Sequence, residues 1–132
     1  MLFAAGFGKR MQPLTFEVPK PLVKVAGKAL LDHALEIANT ATSGSMFANA
    51  HYLSDQIERH LEGSSAQVLK EPELLDTGGG LKSATGLSDP TLTLNTDAIW
   101  LGDNPLTQLR ENWAEDDECL LLLVKPVLIV GL

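Results

Sequence analysis

The chain has 132 residues, 45% of them apolar and 20% charged, with a formal charge of −7, which suffices for one hydrophobic core and a single domain over 1–132. That acidic balance excludes a general nucleic-acid binder, which needs net positive surface to displace counterions. One Cys excludes an intrachain disulfide, three scattered His and one Cys give no metal-ligand spacing, and no apolar run approaches the ~20 residues of a membrane span.

The opening residues, MLFAAG, lack the basic start and the length of a signal peptide, so a cytoplasmic location is expected. Residues 1–5, MLFAA, are a short apolar run that predicts a buried strand. Residues 4–23, AAGFGKRMQPLTFEVPKPLV, form a loop longer than a plain connector. Gly6 and Gly8 let backbone adopt positive φ and let a ligand approach main-chain N–H groups, and successive amides in such a turn form an anion-binding concavity. By themselves the two glycines fit a Gly-rich turn in any α/β protein. The spacing G-x-G-x-x ends in Met11, so a dinucleotide fingerprint is incomplete, and no P-loop motif is present. Arg10 and Lys20 add cations suited to phosphate oxygens. Pro19 and Pro21 flank Lys20 and restrict its backbone, while Lys9 reads as solvent-facing.

Residues 28–41 predict a helix with Leu30, Leu31, Ala34, Leu35 and Ala38 on one face. MFANA, 46–50, predicts a second strand. Its end carries Asn49 and His51, which read as structural hydrogen-bonders. Ser54 is a candidate cap for a short helix over 54–62, with Leu53, Ile57 and Leu61 sharing a face. AQVL, 66–69, is a third strand candidate. Glu71 and Glu73 read as surface charges. DTGGG, 76–80, is expected to be a glycine turn opening into a helix over 81–87, whose amides could meet an anion or lie against a flat base; a flexible turn fits equally well. TLTLN, 91–95, alternates and predicts a fourth strand. Asp97 at its end is either a turn residue or a Mg²⁺ ligand beside the anion loop. Asn104 as N-cap and Pro105 at the first helical position start a helix over 105–113. EDDE, 115–118, reads as a solvated turn. CLLLLV, 119–124, predicts a fifth, buried strand that takes Cys119 inside.

Strands alternating with helices predict an α/β fold, a mostly parallel sheet with helices on both faces. Ligands in such sheets sit beyond the carboxyl ends of the strands, where the Gly6 loop, the TGGG segment and Asp97 all fall.

Residues 4–35, AAGFGKRMQPLTFEVPKPLVKVAGKALLDHAL, resemble the opening signature of the sugar-1-phosphate nucleotidylyltransferases, G-x-G-x-R-M-x-P-L-T-x-x-x-P-K-P-L, matched from Gly6 through Leu22. ANAHYLSDQIERHL, LLDTGGGLKSA and LNTDAIW follow in the family's order. Their wording is most similar to the bacterial branch of N-acetylmuramate 1-phosphate uridylyltransferases and mannose-1-phosphate guanylyltransferases. The resemblance implies a Rossmann-like, GT-A-like architecture and transfer of a nucleotidyl group from a nucleoside triphosphate to a sugar 1-phosphate, releasing pyrophosphate. It implies that Ala5, Gly6, Gly8 and Arg10 hold the phosphates and that Lys20 stabilises charge on the attacked phosphorus, making Arg10 and Lys20 the catalytic cations. Gly78 and Gly79 would border the base and ribose, and Asp97 would bind Mg²⁺. Family chains are longer, so a missing C-terminal part is expected to leave the acceptor half incomplete, turnover weak, and an exposed half-core prone to homo-oligomerise. A module that binds nucleotide without turnover, and a redox Rossmann domain, are the rival expectations.

Overall fold

A computed structural model of the chain describes residues 1–84, 86–87 and 89–123. Four parallel strands make the sheet: β1 (Leu2–Phe3), β4 (Met46–Ala50), β5 (Ala66–Lys70) and β6 (Leu94–Asn95), in the order β5-β4-β1-β6. A separate antiparallel hairpin pairs β2 (Lys24–Val25) with β3 (Lys28–Ala29). Its turn residues Ala26 and Gly27 have φ of 53° and 82°, the left-handed pair that a two-residue hairpin turn requires. The hairpin is absent from the sequence-based expectations, and Gly27 is its one local signal.

The helices are α1 (Leu30–Ala41), α2 (Ser54–Leu61), α3 (Thr77–Ser83) and α4 (Pro105–Asn112). On α1 the expected stripe is buried, Leu31 and Ala34 almost completely. It packs with Leu2, Ala48 and Ala50 of the central strands, Ile57 of α2 and Leu106 of α4 in one core. The α4 start is as expected: Asn104 Oδ1 accepts from the Leu106 and Thr107 amides at 2.9 and 3.2 Å. Its Nδ2 also donates to the Ile37 carbonyl at 2.8 Å, tying α4 to α1.

Several expectations need correction. Ser54 is the first residue of α2 and not its cap; Leu53 occupies the cap position with φ 50° and no capping side chain. The first and fourth strands shrink to two residues each, because β1 offers β6 register only at Leu2 and Phe3. The TGGG segment does not precede a helix but forms its first turns, and α3 ends at Ser83. Residues 119–123 are not a strand. Leu121 and Leu123 are exposed, and so is Cys119. An apolar run is buried only where a neighbouring strand or helix covers it, and none does so at 119–123 among the described residues. Residue 124, the end of that expected strand, lies outside them. No helix among the described residues is long and apolar enough to cross a membrane.

Candidate active site

β1 has β4 on one side and β6 on the other, while the chain runs β1–α1–β4–α2–β5 before it returns to β6. The direction of winding thus reverses between β1 and β6, and the carboxyl ends of two such strands flank the natural crevice of an open parallel sheet. A cavity of about 340 Å³ opens at that point, lined among others by Gly6, Gly8, Arg10, Lys20 and Asp97, and by Ala4 and Thr96. The sequence-predicted loop and carboxylate therefore meet in space although some 80 residues separate them.

Both strand ends are tightly held. The Thr96 amide and hydroxyl donate to the Phe3 carbonyl, the hydroxyl at 2.8 Å. Thr96 is buried, and Asp97 next to it faces the cavity. On the other wall Gly8 adopts φ +62°, and a Cβ there would come within 3.0 Å of both Lys20 Cβ and Thr15 Cγ2. Glycine is thus required twice at this position, by conformation and by packing. Buried Thr15 donates from Oγ1 to the Gly8 carbonyl at 2.9 Å, and Tyr52 donates to the Thr15 carbonyl at 2.8 Å. Phe7 lies edge-on to His51 and tilted against Tyr52. The loop is consequently braced from below, a support invisible in its own sequence. Gly6 differs from Gly8. A Cβ at Gly6 would meet nothing within 4 Å, so no protein contact explains a glycine there.

Lys20 begins a 3-10 turn between buried Pro19 and Pro21. The Leu22 amide donates back to the Pro19 carbonyl at 2.8 Å, fixing the turn. From it Lys20 Nζ reaches Asp97 Oδ2 at 2.6 Å. The Lys side chain is 23% exposed and the Asp 46%, so the pair stays open to solvent and to exchange. Arg10 is exposed, edges the same cavity and has no hydrogen bond or ion pair among the described residues. Lys9 is exposed as expected and stacks over Phe7 at 5.4 Å. Three cations and one carboxylate thus line one cavity in a chain that is acidic overall. Local potential, not net charge, decides what such a cleft attracts.

The TGGG segment does not edge this cavity. The Gly79 amide already donates to Asp76 Oδ1 at 2.8 Å, and the Gly80 amide to the Asp76 carbonyl at 2.8 Å. These two amides are spent within the helix. Glu71 is no surface charge: it is 7% exposed, and its Oε1 accepts from Asn49 Nδ2 at 2.8 Å. His51 holds a structural hydrogen bond, donating from Nδ1 to the Glu71 carbonyl at 2.9 Å. Glu73 is exposed, as expected. No cluster of three or more His, Cys, Asp or Glu able to hold a metal occurs among the described residues.

A parallel sheet wound in two directions, with a glycine-edged crevice at the reversal, is the Rossmann-like arrangement. The chain matches the model of the MobA-like NTP transferase domain over residues 1–126 and belongs to that family. It is 41% identical over 111 residues to N-acetylmuramate alpha-1-phosphate uridylyltransferase of Caulobacter vibrioides, covering 76% of this chain and 46% of that protein. It is 34% identical over 109 residues to the mannose-1-phosphate guanylyltransferase catalytic subunit beta of Xenopus tropicalis, covering 75% of this chain and 30% of that one. The chain thus spans less than half the length of these relatives. Among solved structures, CTP:phosphocholine cytidylyltransferase of Streptococcus pneumoniae superposes with a TM-score of 0.50 at 28% identity, covering 54% of this chain and 31% of that one. A UDP-glucose pyrophosphorylase complexed with UDP-glucose shares the fold, with a TM-score of 0.60 at 20% identity over 83% of this chain and 51% of that one.

Proposed function

We propose that the chain is the nucleotide-binding portion of a sugar-1-phosphate nucleotidylyltransferase, taking UTP and N-acetylmuramate 1-phosphate as substrates. The observation that carries this is the Lys20–Asp97 pair at 2.6 Å beside the open backbone of Gly6 in the switch-point cavity. The amides of residues 5–8 and the Arg10 guanidinium would receive the triphosphate, and Lys20 would face the α-phosphoryl group. An oxygen of the sugar phosphate, already anionic at neutral pH, would bond to the α-phosphorus. The bond from that phosphorus to the bridging oxygen would break, and its electron pair would leave with pyrophosphate. No general base is needed. Such transfers rely on positioning and on balancing charge, which Arg10 and Lys20 can supply.

Magnesium suits the residues present. Asp97 is a single half-exposed carboxylate, its Oδ2 engaged by Lys20 and its Oδ1 without a hydrogen bond among the described residues. Magnesium commonly takes one or two carboxylates and completes its shell with water and phosphate oxygens. Asp97 would hold it, and bound there it would offset charge on the departing pyrophosphate. Guanylyl transfer to mannose 1-phosphate is the second assignment, supported by likeness to the Xenopus tropicalis guanylyltransferase.

A thermal-shift panel of UTP, GTP, dTTP, CTP and ATP with Mg²⁺ separates these assignments, since a ligand at about 100 times its Kd stabilises by about 2.7 kcal/mol. UTP is expected to raise the melting temperature most; a largest rise with GTP favours the second assignment, and no rise with any triphosphate contradicts both.

A further inference from the structure

Arg10 and Lys20 line the same cavity, yet only one of them is open. Arg10 has no hydrogen bond or ion pair among the described residues, whereas Lys20 Nζ donates to Asp97 Oδ2 at 2.6 Å. A carboxylate oxygen and a phosphate oxygen make the same kind of charge-assisted bond to an ammonium, so Asp97 occupies the donor that an oxygen of a bound polyphosphate would use. The contact joins residues 77 positions apart, and the fold prepares it from both sides. A Cβ at Gly8 would come within 3.0 Å of Lys20 Cβ, so the lysine stem is confined where it leaves the loop. The Leu22 amide closes its turn on the Pro19 carbonyl. Asp97 follows Thr96, which is 2% exposed and whose hydroxyl donates to the Phe3 carbonyl at 2.8 Å.

We propose that Asp97 is a built-in substitute for phosphate, a latch that holds Lys20 in the free chain and releases it when the carboxylate takes a divalent ion. The latch rests on the nucleotide-binding assignment of this cleft and adds its regulation. Asp97 Oδ1 carries no hydrogen bond among the described residues, so an ion can approach the carboxylate before Lys20 leaves Oδ2. One carboxylate cannot neutralise an ammonium and a divalent ion together, and the two cations repel each other. Lys20 then turns to the nearest other anion, a phosphate oxygen. Divalent ion and polyphosphate therefore favour each other's binding through this one side chain, and by linkage the coupling is reciprocal. Asp97 acts on anion binding with two signs: without metal it competes for Lys20, and with metal it anchors the ligand.

Asp97→Asn separates the two roles, because the carboxamide keeps the shape and loses the charge that holds Lys20. Removing a negative charge from the cavity would by itself favour any anion, with or without Lys20. Lys20→Met supplies the control: it keeps an unbranched stem beside Gly8 and removes the ammonium. A double-mutant cycle over the two positions isolates the latch from that general effect. Asp97→Ala carries the test if Asp97→Asn does not fold.

The unaltered chain, both single variants and the double variant are titrated calorimetrically with tripolyphosphate at one fixed salt concentration, once in EDTA and once in Mg²⁺, with circular dichroism showing each protein folded. In EDTA, Asp97→Asn is expected to tighten binding about fivefold when Lys20 is present and less than about twofold in the Lys20→Met background. In Mg²⁺ the sign reverses, and Asp97→Asn weakens binding. No tightening in EDTA, equal tightening in the two backgrounds, or tightening that persists in Mg²⁺ overturns the latch. Should the unaltered chain still bind UTP or GTP with Mg²⁺ in any of those cases, the nucleotide assignment stands without it. If the unaltered chain binds neither nucleotide nor tripolyphosphate, the nucleotide assignment falls and the latch with it.

Discussion

Lys20→Ala is expected to weaken binding of magnesium UTP by about 10- to 140-fold, measured by isothermal titration calorimetry. The reason lies in where the ammonium sits. Its stem is packed against Gly8 and its backbone is fixed between two buried prolines, so the charge is delivered to the cavity with little freedom left to lose. A charge-assisted hydrogen bond to a phosphate oxygen is worth about 1.5–3 kcal/mol, and about 1.4 kcal/mol corresponds to tenfold in Kd. The same substitution should hardly disturb the free protein. Lys20 and Asp97 form a half-exposed pair, and such pairs contribute about 0–1 kcal/mol after solvent screening. A urea midpoint close to wild type together with a large loss of affinity is therefore the expected signature. An unchanged Kd would remove Lys20 from the site.

Gly80→Ala is expected to destabilise the fold by about 2–3 kcal/mol in urea unfolding, against the trend of helix propensity. Alanine is intrinsically better than glycine inside a helix by about 0.8–1 kcal/mol. At Gly80 that gain is overwhelmed. The new methyl group would enter the space between Glu71 Oε1 and Asn49 Nδ2, which are bonded to each other and buried, so neither can swing aside cheaply. Separating them leaves a buried carboxylate oxygen and an amide short of partners, at about 1–3 kcal/mol or more. Gly78→Ala is the control in the same helix. Its Cβ would find only Asp76 Oδ1, at an ordinary 3.7 Å, so this variant should gain roughly 0.5–1 kcal/mol from propensity. A Gly80→Ala protein as stable as Gly78→Ala would refute the packing described around Glu71.

Much of this architecture was legible in the sequence because its signals are local. The α1 stripe repeats over three turns, and Asn104-Pro105 announces a helix start in two residues. The loop from Gly6 to Lys20 carries a spaced pattern, and Asp97 follows a short apolar strand. What escaped depends on residues far away in the chain. Glu71 looks like any surface carboxylate until Asn49, 22 positions earlier, is found to donate to it. Thr15 and Tyr52 brace the loop across 37 positions. The glycines of 78–80 resemble a loop since each disfavours helix, but Asp76 caps them and the packing at Gly80 admits nothing larger. Residues 119–123 mislead in the opposite way. Their composition asks for burial, yet composition supplies no neighbour, and Leu123 stays exposed.

A crystal structure of the chain grown with UTP and Mg²⁺ is the most direct measurement. Phosphate oxygens are expected within hydrogen-bonding distance of the amides of residues 5–8 and of Arg10, with Lys20 Nζ moved from Asp97 onto a phosphate and Asp97 facing the metal. Nucleotide density elsewhere on the surface, with the Lys20–Asp97 pair still closed at 2.6 Å, would contradict the assignment of this cleft.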